Sequence, residues 1–248
     1  MIWAITKREL NAFFVTPIGW LCLLGFSLIN GLIFTWIVAA YSDPTAINTG
    51  QVADINQQLI PDYFGTLSII LLLLSPALSM RSFSEDLKQK TFPLLLSSPL
   101  SSTEIVLGKF LGVVAFAFFL LMTTLPCTIM LVRYAEPDIS ILTLNYAANF
   151  LMLSSCISLG MAVSACTQNQ LIALTISFIL IIGLWFLMGV APLLPSPFSE
   201  TISYISLLTH VDAMSKGLLQ TRDLLYFFSM TAFFLLCCER RVEAYRWQ

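Results

Sequence analysis

The side chains able to do chemistry are few and scattered. His210 is the only histidine, with Asp212 two residues on. Such a pair serves general acid–base catalysis when a nucleophile stands beside it on a strained turn. No G-x-S-x-G or H-E-x-x-H sequence occurs, so His210 reads as a structural or interfacial residue. Gly108-Lys109 has part of a phosphate loop. However, Thr103 stands where the loop needs its first glycine, and Phe110 where it needs Ser or Thr. The chain encodes no nucleotide site, and any ATP that drives it must be bound by another chain. Cys22, Cys127, Cys156, Cys166, Cys237 and Cys238 form no C-x-x-C and have no histidine or carboxylate cluster beside them. They read as small apolar filler, and neither a metal ligand nor a catalytic residue is assigned.

The elements that hold these residues follow from composition. Of 248 residues, 58% are apolar and only 10% charged, with a mean hydropathy of +0.86. Soluble domains carry about 25% charge, so the excess apolar surface must face lipid. Stretches without Asp, Glu, Lys or Arg, and one break at Thr167-Gln168-Asn169-Gln170, predict six spans at about 18–40, 62–80, 106–132, 144–166, 171–191 and 223–239. The first charge-free run is too long for a signal peptide and reads as an uncleaved span. Residues 1–14 alternate Ile2, Trp3, Ile5 and Leu10 with Lys7, Arg8 and Glu9, as an amphipathic interfacial helix would. The expected fold is an all-α integral membrane protein in one domain, 1–248.

Lys and Arg set the orientation. Lys7, Arg8, Arg81, Lys88, Lys90, Lys109, Arg240, Arg241 and Arg246 fall on one side, against Arg133, Lys216 and Arg222 on the other. Both termini and the loop 81–104 are therefore expected in the cytoplasm. Ionisable residues are missing near mid-membrane in spans one to five, which argues against ion-coupled transporters, proton relays and voltage sensors. Asn30, Asn149, Thr123 and Thr124 suit hydrogen bonding between helices. Gly108 and Gly112, and Ser154 and Ser158 with Ala162, form small-residue stripes that let helices approach closely, within one chain or between subunits. Between spans five and six, Pro192, Pro195 and Pro197 precede a mildly apolar stretch that holds His210, Asp212, Gly217, Arg222 and Asp223. It is expected to form re-entrant or interfacial half-helices. No basic patch with interleaved aromatics points to nucleic acid.

The remaining signal is the polar interruption at 80–104. Ser84-Glu85-Asp86 through Lys90-Thr91, then Leu94-Leu95-Leu96-Ser97-Ser98-Pro99-Leu100-Ser101, then Glu104-Ile105-Val106-Leu107-Gly108-Lys109-Phe110 resemble the signature of type-2 ABC exporter permeases. Lys90 departs from the usual glycine and Pro93 from the usual acid. His210-Val211-Asp212, Lys216-Gly217, Thr221-Arg222-Asp223-Leu224-Leu225-Tyr226-Phe227 and Arg246-Trp247 resemble the gliding-motility branch of that family.

The resemblance implies a permease subunit of an exporter or envelope machine in a bacterial inner membrane. ATP and magnesium would sit on a separate cytoplasmic ATPase dimer, with no cofactor bound by this chain. The ATPase would dock on a coupling helix at about 93–99 between spans two and three, burying Leu94, Leu95 and Leu96 between Pro93 and Pro99. Arg81, Glu85, Asp86, Lys88 and Lys90 would flank it. The other implied partners are a second permease subunit, identical or paralogous, membrane lipid, and an accessory subunit with a large periplasmic domain. The competing expectation is a non-transporting scaffold or mechanotransmission subunit that joins an ATPase to a periplasmic partner.

Overall fold

The computed structural model describes residues 2–42, 55–89, 101–135, 137–193, 195–196, 198–218 and 220–246. Among the described residues every regular element is helical, and six helices are long and apolar enough to cross a membrane. The expected coupling helix, with Lys90, Pro93, Leu94, Leu95, Leu96 and Pro99, lies outside the described residues.

Helix α1 (Ile2–Val15) buries Ile5, Thr6 and Phe13 and exposes Trp3, Lys7 and Arg8. It turns directly into α2 (Pro17–Tyr41), where proline suits a first helical turn because its missing N–H has no partner there anyway. The corner is tight. Thr16 Oγ1 donates to the Ala12 carbonyl at 2.7 Å and Trp20 Nε1 to that of Phe14 at 2.9 Å. A Cβ on Gly19 would lie 1.9 Å from the Phe13 oxygen, so the corner requires glycine.

A π-helical turn at Ile55–Leu59 leads into α3 (Ile60–Ser79), and α4 (Arg81–Lys88) follows after the single residue Met80. The second apolar helix thus runs from Asn56 to Lys88, beyond the 62–80 expected from charge alone. Eight residues of the expected cytoplasmic loop are helical, because Phe83 and Leu87 are buried on one face of α4. Helix α5 (Ser102–Met122) opens on a reciprocal cap. Ser101 Oγ accepts from Glu104 N at 3.2 Å, and Glu104 Oε2 accepts from Ser101 N at 3.1 Å. Thr123 and Thr124 interrupt it by donating back to the Leu120 and Leu121 carbonyls, both at 2.7 Å. Helix α6 (Leu125–Ala135) completes the crossing.

Helix α7 (Ile139–Ser164) is the centre of the bundle and contacts α3, α4 and α5. It also contacts α8 (Gln170–Val190), α10 (Leu207–Ser215) and α11 (Thr221–Arg246). In its most apolar stretch 67% of the residues are buried, against 17% in α2, whose apolar surface is left for lipid. Polar contacts fix its register. Ser68 Oγ on α3 donates to Asn149 Oδ1 at 2.8 Å. A Cβ on Gly160 would lie 1.9 Å from Ser79 Oγ, at the same offset along the two helices. Ser155 Oγ lies 3.0 Å from Thr231 Oγ1 on α11. Tyr63 OH donates to Asn30 Oδ1 at 2.9 Å and so ties α2 to α3. Ser154 and Ser158 are buried and donate within α7, to the Phe150 and Ser155 carbonyls, both at 2.7 Å. Between α8 and α11 lie a short 3-10 turn at Ala191–Leu193, α9 (Phe198–Ile205) and α10.

Candidate functional site

The site is assembled around one buried cation. Lys109 sits two turns into α5 with its side chain only 2% exposed. Its Nζ lies 3.0 Å from Glu9 Oε1 on α1 and 2.7 Å from Asp86 Oδ2 on α4, and donates to the Ser82 carbonyl at 2.6 Å. The Glu9 and Ser82 contacts are hydrogen bonds and the Asp86 contact is an ion pair, and the Phe83 ring covers the group with its centroid 5.2 Å away. An ammonium withdrawn from water is tolerated only with such a set of partners. Glu9 also accepts from Arg8 Nη2 at 2.8 Å. Burial works against its charge, but Lys109 and Arg8 outweigh burial and hold the carboxyl below its ordinary range.

The glycines explain how α1 comes close enough. A Cβ on Gly108 would lie 2.7 Å from Ile5 Cβ, and one on Gly112 would lie 2.6 Å from Glu9 Cβ. Thr6 Oγ1 lies 3.1 Å from the Gly108 carbonyl, and Phe13 stacks on Phe116 at 4.4 Å between centroids. The Gly108/Gly112 stripe therefore receives α1 of the same chain. Arg81 lies over the Phe13 ring at 5.7 Å and 3.9 Å from Glu85 Oε2. Lys88 is exposed at the end of α4. Of the residues expected to flank an ATPase, Asp86 points back to Lys109. That pairing links α4 to α5 across residues the sequence separates by the whole polar loop.

A second cluster lies at the α9–α10–α11 junction. His210 Nδ1 is 2.6 Å from Asp223 Oδ1, both side chains being essentially inaccessible. His210 Nε2 is 2.8 Å from the Tyr204 carbonyl. A carbonyl oxygen only accepts, so Nε2 carries a proton. The imidazole stacks on Tyr226 at 4.0 Å, and Tyr226 OH donates to the Ile205 carbonyl at 2.6 Å. Asp212 is not the partner of His210. It pairs with Lys216 at 2.6 Å on the exposed face. Gly217 has φ +82°, the left-handed conformation that closes α10. Arg222 Nε stands 4.0 Å from Asp223 and is mostly exposed. Sequence reasoning missed the His210–Asp223 pairing, although both residues stand in the segment it singled out.

Among the described residues no group of His, Cys, Asp or Glu is placed to hold a metal ion. Six long apolar helices around a polar-seamed centre, with a buried charge joining three helices at one end, define a multi-pass helical membrane protein. The family model described as ABC-2 family transporter protein matches residues 3–239, and the chain belongs to that family. It is a permease component of an ABC transporter. Compared with the curated proteins, it finds no match.

Proposed function

We propose that this chain is the permease half of an ABC exporter or ABC-driven envelope machine whose energy enters through residues 81–104. A cytoplasmic ATPase dimer holds ATP and magnesium and docks on 93–99, with Leu94, Leu95 and Leu96 between Pro93 and Pro99 as the apolar contact. Arg81, Glu85, Lys88 and Lys90 flank that contact. The observation that carries this reading is the Lys109 node. A displacement of the loop pulls α4 through Asp86, and Lys109 passes it to α5 and, through Glu9, to α1. The Lys and Arg bias supports cytoplasmic termini in a bacterial inner membrane, since orientation follows those residues. A second permease subunit, identical or paralogous, completes the pathway. The His210 to Phe227 motif supports placement in the gliding-motility branch, where an accessory subunit with a large periplasmic domain accompanies the permease.

Replacing Leu95 and Leu96 by Asp tests the docking. The expected result is loss of the ATPase from the purified complex while the permease still inserts. Unchanged copurification would sink the coupling role of the loop. Should the complex hydrolyse ATP in liposomes without moving any cargo, the mechanotransmission reading takes its place.

A further inference from the structure

The junction between α3 and α4 is bonded by a residue from another helix. Along an uninterrupted helix the Phe83 and Ser84 amides would donate to carbonyls four residues back, at Ser79 and Met80. At this junction the Ser164 hydroxyl, from the last turn of α7, also accepts from Phe83 N at 3.2 Å and from Ser84 N at 3.0 Å. The same hydroxyl donates to the Met80 carbonyl at 2.8 Å. Ser84 Oγ also donates to that carbonyl. Met80 keeps right-handed helical angles, φ −55° and ψ −32°, so the interruption lies in the hydrogen bonding and not in the backbone angles. Ser164 is fully buried, as are Ser79 and Ser84, so water does not substitute for it. One turn earlier, Pro76 removes another ladder bond inside α3, and Ser79 presses on Gly160.

We infer that Ser164 is a positioning residue that makes Met80 a hinge and ties the moving side of that hinge, α4, to the central helix α7. The inference rests on the proposed loop-driven mechanism and extends it. Lys109 carries the motion of α4 to α5 and α1. Ser164 carries it to α7, the helix on which α3 and α11 are both packed. The hydroxyl suits this task because it serves as donor to one side of the break and acceptor to the other. Its three contacts thus hold at a fixed angle and shift together when the angle changes.

Hydrogen–deuterium exchange on the chain in nanodiscs tests the hinge without any partner. In Ser164→Ala the Phe83 and Ser84 amides lose the Ser164 acceptor, and exchange across 80–88 should rise about tenfold, as loss of one hydrogen bond predicts. Ser84→Ala keeps all three Ser164 contacts and should change exchange far less. The complex with its copurified ATPase supplies the second readout. Vanadate trapping should alter exchange at both 80–88 and the end of α7 in the natural protein. In Ser164→Ala it should alter only 80–88. Equal exchange at 80–88 in the natural and Ser164→Ala chains, or an undiminished response of α7, overturns the inference. Failure of any ATPase to copurify with the natural protein overturns the proposed function instead, and leaves the first readout standing. Should Ser164→Ala not survive purification, Ser164→Cys, similar in size but a poor hydrogen-bonding group, carries the same expectations.

Discussion

Replacing Lys109 by Met keeps an unbranched side chain one atom shorter and removes its charge. Two carboxylates, Glu9 and Asp86, then face each other without the ammonium that joined them. Removing one partner of a buried ion pair costs about 3–5 kcal/mol. Glu9 and Asp86 are 16% and 24% exposed, so water reaches them and the lower end applies, about 3 kcal/mol. For a chain of this size each kcal/mol moves the melting temperature by about 2–4 °C, giving a fall of about 6–12 °C. Asp86→Asn leaves Lys109 paired with Glu9 and should cost only about 1 kcal/mol. The combined variant Lys109→Met, Glu9→Gln, Asp86→Asn leaves no buried charge unpaired, since Arg8, which loses Glu9, is solvent-exposed. It should recover most of the loss, because neutral replacement of a whole buried ionic group is often nearly neutral in stability. Recovered stability with lost coupling of ATP hydrolysis to movement would separate the mechanical role of the node from its packing role. Thermal unfolding in nanodiscs reads the series. Lys109→Met within about 1 kcal/mol of the natural protein, or a triple variant no better than Lys109→Met, refutes the reasoning.

Three further outcomes follow from the same geometry. Gly112→Val places carbon within 2.6 Å of Glu9 Cβ and should push α1 off α5 at a cost of about 1–3 kcal/mol; faster proteolysis of residues 2–15 would register it. His210→Phe keeps the stack on Tyr226 but leaves Asp223 buried beside only a distant Arg222. It should lower stability by about 3–5 kcal/mol, and Asp223→Asn in the same chain should restore part of that, both seen by thermal unfolding. The acid response of the node has a fixed sign. Glu9 is held below its ordinary range by Lys109 and Arg8, so its contribution is complete above that range. It is lost as pH falls through the lowered folded value. An acid titration of stability should therefore be shallower in Glu9→Gln than in the natural chain.

Much of the fold was legible because lipid imposes a simple rule. Charge-free runs had to be spans, and the break at Thr167-Gln168-Asn169-Gln170 marked a turn that Asn169 caps through Leu171 N at 3.0 Å. Helix ends were less legible. Leu87 and Phe83 continue the second helix past Arg81, since burial on one face of α4 outweighs the charges on its other face. The Lys109 node escaped the sequence because Glu9 lies 100 residues away, and periodicity carries no information over that distance. Lys109 counted as one more cation at a membrane edge, whereas it is among the largest fully buried side chains. Asp212 looked the natural companion of His210, yet residues two apart on a helix point to different sides. Asp223, 13 residues on and across a turn, is the one that meets it.

The corner between α1 and α2 has a mechanical meaning of its own. Proline at its start, glycine at its inside edge and two side-chain bonds across it leave little freedom to bend. The two helices then act as the unequal arms of a crank. At about 1.5 Å per residue, α1 is about 21 Å long and α2 about 37 Å. Lys109 grips the short arm at Glu9, seven residues and about 10.5 Å from the corner, so each ångström it drags that point would sweep the far end of the long arm by roughly 3.5 Å through the bilayer. The face of α2 that makes this sweep carries Trp20, Leu24, Leu28, Leu32 and Trp36, all exposed. Lipid, or another subunit, would feel the stroke there first.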